Sequence, residues 1–113
     1  MQPVTKISLA ELRRLSVPLN GIVKANVDVE RQILIVGMSL HVDGERGMLE
    51  DGSKQANIWG INLHVEQYGT DDFVEFDSMI NLRPGQGNRS RGVDDATIRA
   101  RIHQIVNEKV YVD

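Results

Sequence analysis

A strict alternation of apolar and polar residues over 23–30, followed at once by an apolar run, constrains the fold of this chain most strongly. The apolar positions are Val23, Ala25, Val27 and Val29, and the polar positions are Lys24, Asn26, Asp28 and Glu30. A period of two predicts a β-strand with one buried face and one wet face. Residues 33–38 are nearly all apolar, which predicts a central strand covered on both faces. The short connection predicts that the two strands form a hairpin.

Capping signals at both ends of the chain predict helices. Ser8 and Glu11 have the spacing of a capping box, and this first helix should end before Pro18. Asp94 or Asp95 can cap a last helix. That helix has an apolar face formed by Ile98, Ile102, Ile105 and Val106. Residues 41–52 are ambiguous, since two glycines weaken an otherwise possible short helix.

A second pair of strands is predicted over 57–65 and 73–83. The predicted inward residues are Trp59, Ile61, Leu63 and Val65 on the first strand, and Val74, Phe76, Ile80 and Leu82 on the second. The predicted outward residues are Asn62, His64, Glu75, Asp77, Asn81 and Arg83. The element order is therefore α-β-β-(α)-β-β-α. We expect one α+β domain over residues 1–113, with a mostly antiparallel sheet of about four strands and helices mainly on one face.

The composition excludes several classes of function. The 113 residues include no cysteine, so disulfides, thiolate nucleophiles and thiolate metal sites are ruled out. Aromatic residues make up 4% and the net charge is −3, which makes nucleic acid an unlikely partner. No apolar run reaches the length of a membrane span, and the N-terminus lacks the apolar block of a signal peptide. These features predict a cytoplasmic protein without a membrane partner.

Charge is distributed unevenly along the chain. Residues 41–77 contain nine acidic and two basic side chains, a net charge of −7. Residues 81–101 contain five arginines and two aspartates, a net charge of +3. The two segments either neutralise each other as neighbours or form a site with acidic and guanidinium walls.

The predicted outward residues of the second strand pair form a row of polar side chains. Antiparallel pairing would place His64 near Glu75 and Asn62 near Asp77, with Asn81 and Arg83 continuing the row. A plain solvent-facing sheet also alternates in this way, but asparagine is depleted in strands and needs a reason here. The candidate catalytic residues, and equally the candidate ligands for Mg, Mn or Zn, are His64, Glu75 and Asp77. His41 and Asp43, separated by one residue, are a further possible pair of metal ligands.

The loop over residues 84–94, the arginine loop, is rich in glycine and arginine. Gly85 and Gly87 do not begin a dinucleotide-binding motif, because Ser90 occupies the third glycine position and the connection to the helix is too long. A looser anion site remains, in which freed backbone N–H groups and two arginines hold a phosphate or carboxylate. Alternatively, the arginines pair with nearby acids. The candidate ligand-binding residues are Asn62, Asn81, Arg83, Asn88, Arg89, Ser90 and Arg91.

Four sequence blocks carry a family resemblance. They are residues 49–53 (LEDGS), 59–63 (WGINL), 75–84 (EFDSMINLRP) and 87–93 (GNRSRGV). With these blocks the chain resembles a family of small uncharacterised prokaryotic proteins, a domain of unknown function. The resemblance runs from about Val27 to the last helix. It implies a cytoplasmic single-domain protein and supplies no activity, substrate or catalytic residue.

Three hypotheses about function follow from the sequence. The first is a protein that binds an anionic small molecule through the polar row and the arginine loop. The second is a hydrolase or nuclease that depends on a divalent metal. The third is a non-enzymatic interaction protein that forms a homodimer through its polar face. Whether the protein is an enzyme stays open at this point.

Overall fold

The computed structural model describes residues 2–112. The helices are α1 (Leu9–Leu15), α2 (His41–Glu50) and α3 (Ala96–Lys109). The strands are β1 (Ile7–Ser8), β2 (Ile22–Asp28), β3 (Ile33–Val36), β4 (Ile58–His64), β5 (Val74–Glu75) and β6 (Val110–Tyr111). The predicted α+β class is confirmed. The ambiguous segment that begins at residue 41 forms a helix despite its glycines.

Four strands form an antiparallel sheet in the order β3-β2-β4-β5. The predicted hairpin of β2 and β3 is present, with Asp28 opposite Ile33. However, β3 is an edge strand, so the prediction that it is central was wrong. Its side chains are nevertheless buried on both faces, and the N–H of Val4 donates to the carbonyl of Leu34 at its free edge (2.9 Å). The apolar run therefore indicates that both faces of β3 are buried, and it does not indicate a central position in the sheet.

One face of the sheet carries the main hydrophobic core. Ala25 on β2 lies opposite Ile61 on β4, and both side chains are fully buried. Helices α1 and α3 pack on this face. Their contributions to the core are Leu9, Leu12, Ile102, Ile105 and Val106. The predicted apolar face of the last helix is thus confirmed, and so is the placement of two of the three helices on one side.

Helix α2 covers part of the opposite face. Met48 of α2 packs with Ile35 and Ile58 in a second, smaller cluster. Asn26 and Asp28 lie on this side of β2 and are fully buried, so the prediction that they belong to a wet face was wrong. The amide of Asn26 donates to the carbonyl of His41 in the first turn of α2 (2.9 Å). Asn26 thus holds α2 in place, whereas Asp28 accepts from the N–H groups of Glu30 and Arg31 in the hairpin turn and Lys24 stays partly exposed.

The strand predicted over 73–83 is much shorter than expected. Strand β5 has only two residues, and a 3₁₀ turn occupies Met79–Asn81. Asn81 is buried and Leu82 is exposed, so both predicted orientations were wrong. After β5 the chain leaves the sheet, and residues 76–83, the crossing segment, pass over Gly60, where a Cβ atom would lie 2.7 Å from the Cβ of Ser78. Gly60 therefore permits a crossing that any other residue would obstruct.

The two ends of the chain meet in a short parallel sheet that the sequence did not reveal. Ile7 of β1 pairs with Val110 of β6. The predicted caps are confirmed, since Ser8 accepts from the N–H of Glu11 (3.0 Å) and Asp95 accepts from that of Thr97 (2.8 Å). Within residues 2–112, no helix combines the length and apolar character needed to cross a membrane.

Candidate functional site

Asn81 replaces the missing part of β5. Strand β5 ends opposite Asn62, which leaves Gly60 on the same edge of β4 without a strand partner. The side chain of Asn81 accepts from the N–H of Gly60 and donates to its carbonyl, both at 2.9 Å. The same amide also donates to the carbonyl of Arg91 (2.9 Å). Asn81, predicted to be a ligand-binding residue, is thus fully buried and is used to join β4 to the arginine loop.

Asn88 organises the arginine loop from inside. Its amide nitrogen donates to the carbonyls of Asn81 (2.8 Å), Ser90 (3.1 Å) and Gly92 (2.9 Å). Its oxygen accepts from the N–H of Asp94 (2.8 Å). Because Asn88 is buried and its amide is fully engaged, its contacts maintain the loop conformation.

Asp94 holds the outer part of the loop. Its carboxylate accepts from the N–H of Arg89 (2.8 Å) and from the hydroxyl of Ser90 (2.5 Å). These hydrogen bonds lower the pKa of Asp94 below its usual value, and the bond from Ser90 has the largest effect. Arg89 and Ser90 were predicted to be ligand-binding residues, and in the structure the backbone N–H of Arg89 and the hydroxyl of Ser90 both donate to a carboxylate of the chain itself.

Arg83 is held by the body of the protein. Its guanidinium lies over the ring of Trp59, 4.4 Å from the ring centre. It donates to the backbone carbonyls of Ile58, Ile80 and Gln55. Burial of the guanidinium lowers the pKa of Arg83. Arg83 thus fastens the end of the crossing segment to the start of β4.

The part of the predicted polar row that contains Asn62, His64 and Glu75 is present in the structure. The Nε2 atom of His64 lies 3.1 Å from Oε1 of Glu75, as the strand alternation predicts. The amide of Asn62 donates to the same carboxylate (2.9 Å) and to the carbonyl of Asp77 (3.1 Å). The hydrogen bond from Asn62, more than the contacts with His64, lowers the pKa of Glu75.

Asp77 turns away from His64 and Glu75 toward the arginine loop. Its Oδ1 atom lies 2.7 Å from Nε of Arg91 in a partly exposed ion pair. The structure therefore brings together two of the three candidate metal ligands and pairs the third with a cation. Nowhere in the described part of the chain do three or more His, Asp or Glu side chains form a group that could hold a metal ion.

An open pocket of about 270 Å³, the sheet pocket, lies where the polar row meets α2 and the arginine loop. Its polar walls are formed by Lys24, His41, Asn62, Asp77, Ser78 and Arg91. Its apolar walls are formed by Leu40, Val42, Met79 and Ile80. It thus includes three of the predicted site residues, namely Asn62, Asp77 and Arg91.

Two cations reach the sheet pocket from different elements. Lys24 lies opposite Asn62 in the register of β2 and β4, and its amine has no ion-pair or hydrogen-bond partner among residues 2–112. Arg91 uses only its Nε–H for Asp77, so its two terminal nitrogens keep their donors available within the same residues. The oxygen of Asn62 is buried and likewise has no hydrogen-bond partner there.

His41 contributes a neutral imidazole to the sheet pocket. Its Nε2 atom lies 2.8 Å from the carbonyl of Ile61, and because a carbonyl only accepts, Nε2 carries the proton. Nδ1 then presents a lone pair and has no hydrogen-bond partner in the described chain. Burial, the largest influence, lowers the pKa of His41 below its usual 6.5. The imidazole is therefore neutral at pH 7.

The lowered pKa of His41 predicts a loss of stability in mild acid. A base whose pKa is lowered by folding binds its proton more readily in the unfolded chain. Its full contribution to the free energy of unfolding is present above pH 6.5 and is lost as the pH falls below that value. We expect the urea midpoint of the wild type to fall from pH 7 to pH 5 more steeply than that of H41Q. Equal pH dependence in both proteins would contradict the assignment.

Lys24 was not predicted to belong to a site, and His41 was considered only as a possible metal ligand together with Asp43. Lys24 looked like any polar residue of an alternating strand. The sequence does contain one signal for His41, since a histidine follows Leu40 at the start of a segment with helical character. Only the docking of α2 on the sheet brings both residues beside Asn62.

Comparisons with known proteins agree with the predicted resemblance. A family model described as protein of unknown function (DUF5674) matches residues 3–109, nearly the whole chain. No curated protein and no solved structure matches the chain.

Proposed function

The chain belongs to this family of proteins of unknown function, DUF5674, and we propose that it binds an anionic small molecule in the sheet pocket. The observation that carries the proposal is the convergence of Lys24 and Arg91, with donors not used by the protein, on one pocket. Charge-assisted hydrogen bonds from such donors are about twice as strong as neutral ones. The anion would lie between the two cations.

The remaining polar groups of the pocket, the oxygen of Asn62 and Nδ1 of His41, only accept hydrogen bonds and would not contact the anion. Lys24 and Arg91 are therefore the groups that would bind it. Asp77 holds Arg91 in place through the 2.7 Å ion pair.

The proposal refines the prediction made from the sequence. Arg91, Asn62 and Asp77 keep a role, whereas Asn81, Asn88 and Arg83 support the site from behind. Arg89 and Ser90 lie on the outer part of the arginine loop. A cytoplasmic location and a possible homodimer stay predictions from the sequence.

The test measures binding of small anions to the wild type and to two variants. A thermal-shift screen with acetate, succinate, inorganic phosphate and adenosine monophosphate comes first, because a ligand at about 100 times its Kd stabilises the folded state by about 2.7 kcal/mol. We expect K24Q and R91Q each to weaken the Kd of the bound anion by roughly tenfold to a hundredfold. R101Q is the matched control, since Arg101 is an exposed residue of α3, on the other side of the sheet.

A third variant gives an effect of opposite sign. D77N removes the negative charge that competes with the anion for Arg91, while its side-chain oxygen can still accept from Nε. We therefore expect D77N to bind the same anion several-fold more tightly than the wild type. The proposal is wrong if none of the anions stabilises the wild type, or if R101Q weakens binding as much as R91Q.

A further inference from the structure

Three of the residues that line the sheet pocket are apolar and exposed. Leu40, Val42 and Met79 are 56%, 44% and 64% exposed, and all three line the pocket. Single exposed apolar residues are ordinary on a protein surface, but a cluster of them beside a polar site indicates a binding surface. We propose that the ligand is a monocarboxylate with a short apolar chain, an inference that rests on the function proposed above.

The charges of the pocket favour a monoanion. Lys24 and Arg91 bring two positive charges, and Asp77 cancels one of them through its ion pair with Arg91. The ionisable lining residues other than the neutral His41 therefore carry a net charge of +1. One carboxylate neutralises this charge, whereas a phosphate dianion would leave one negative charge in excess.

The position of the apolar residues fixes where the chain would lie. Leu40 and Val42 flank the first residue of α2, and Met79 begins the 3₁₀ turn on the crossing segment. Arg91 reaches the pocket from the arginine loop and Lys24 from β2. With its head between Lys24 and Arg91, the ligand would extend its chain across the surface formed by Val42 and Met79. A volume of about 270 Å³ would hold roughly nine water-sized groups, which is close to the size of hexanoate.

The test is a series of straight-chain carboxylates measured by calorimetry. Acetate, butyrate, hexanoate and octanoate share one head group and differ only in apolar length. Burial of each methylene should lower Kd about fourfold. We expect Kd to fall from acetate to hexanoate and to level off at octanoate, where the chain extends beyond the pocket.

A double variant shows whether the alkyl chain of the ligand lies on the surface formed by Val42 and Met79. V42T together with M79Q keeps the size of both side chains and makes both polar, and we expect it to bind acetate like the wild type but to lose the gain with chain length. The matched control is L49Q, since Leu49 is an exposed residue of α2 outside the pocket and this variant should keep the gain.

The outcomes separate this inference from the function on which it rests. If acetate or phosphate binds but Kd does not change along the series, the ligand is not a monocarboxylate with an apolar chain, and the proposed anion site stands. If the gain with chain length persists in the double variant, the chain lies elsewhere and the inference is again wrong. If no anion of either experiment binds, both proposals fail.

Discussion

Asn81→Ala is expected to lower the free energy of unfolding by about 3–5 kcal/mol. The substitution leaves the N–H and the carbonyl of Gly60 without their partner in a buried place, whereas the carbonyl of Arg91 keeps the N–H of Ser78 as a donor (2.9 Å). Each buried backbone group that loses its hydrogen bond costs about 1–3 kcal/mol. Since small domains are stable by only 5–15 kcal/mol, this one side chain is expected to decide whether the crossing segment stays folded. Urea denaturation with a constant m value measures the loss.

Two companion variants identify the cause of that loss. N81D has the same size and still accepts from the N–H of Gly60, but it cannot donate to either carbonyl, so we expect it to be destabilised to a similar degree. N107A removes an exposed asparagine of α3 and should change stability by no more than about 0.5 kcal/mol. A stability of N81A within about 1 kcal/mol of the wild type would show that the Asn81 amide does not replace a strand partner.

The sequence predicts those parts of the fold that depend on neighbouring residues. The caps at Ser8 and Asp95 and the alternation in β2 and β4 each lie within one element, where side-chain spacing determines the local structure. The alternation also predicted that His64 lies near Glu75, and it does. However, the register implied by that pairing is shifted by two residues, since Glu75 lies opposite Asn62. The caps and the apolar positions of both strands held because no distant contact competes with the local pattern.

The wrong predictions concern contacts between elements that are far apart in sequence. The apolar run of β3 was interpreted as a central strand, because burial by α2 and by the segment around Val4 leaves the same pattern as burial by neighbouring strands. Asn26 was assigned to a wet face because alternation cannot distinguish water from a polar contact with another helix. In the structure its amide meets the backbone of His41.

The asparagines in the second predicted strand pair have two different roles, of which the sequence predicted only one. Asparagine is depleted in strands, and its presence at positions 62 and 81 was interpreted as a sign of a site. Asn62 does line the sheet pocket. Asn81 instead serves as a substitute for a strand partner, a role that requires the chain to leave the sheet at Ser78. The amide supplies a donor and an acceptor on one short side chain, which explains why asparagine serves both purposes.

The two glycines of α2 are expected to respond to alanine with opposite signs. A Cβ atom at Gly44 would lie 2.5 Å from Nδ2 of Asn26 and 2.9 Å from Cε of Met38, and the Asn26 amide is held by its bond to His41. Overpacking of this kind costs about 1–3 kcal/mol, so we expect G44A to be less stable than the wild type even after the gain in helix propensity. A Cβ atom at Gly47 would meet nothing within 4 Å, so G47A should gain up to about 1 kcal/mol.

This pair of variants tests the docking of α2 on the sheet, on which the sheet pocket depends. Both glycines lie in the same helix and undergo the same substitution, so their helix propensities cancel and the difference in urea midpoint reports the contacts of Gly44 with Asn26 and Met38. Because the contact with Asn26 positions His41 and the start of α2, G44A should also weaken the binding of any anion that the wild type binds. G47A should leave the Kd of that anion unchanged. Equal stabilisation of both variants would mean that α2 does not approach β2 as closely as the structure shows, and the walls of the pocket would then need to be redrawn.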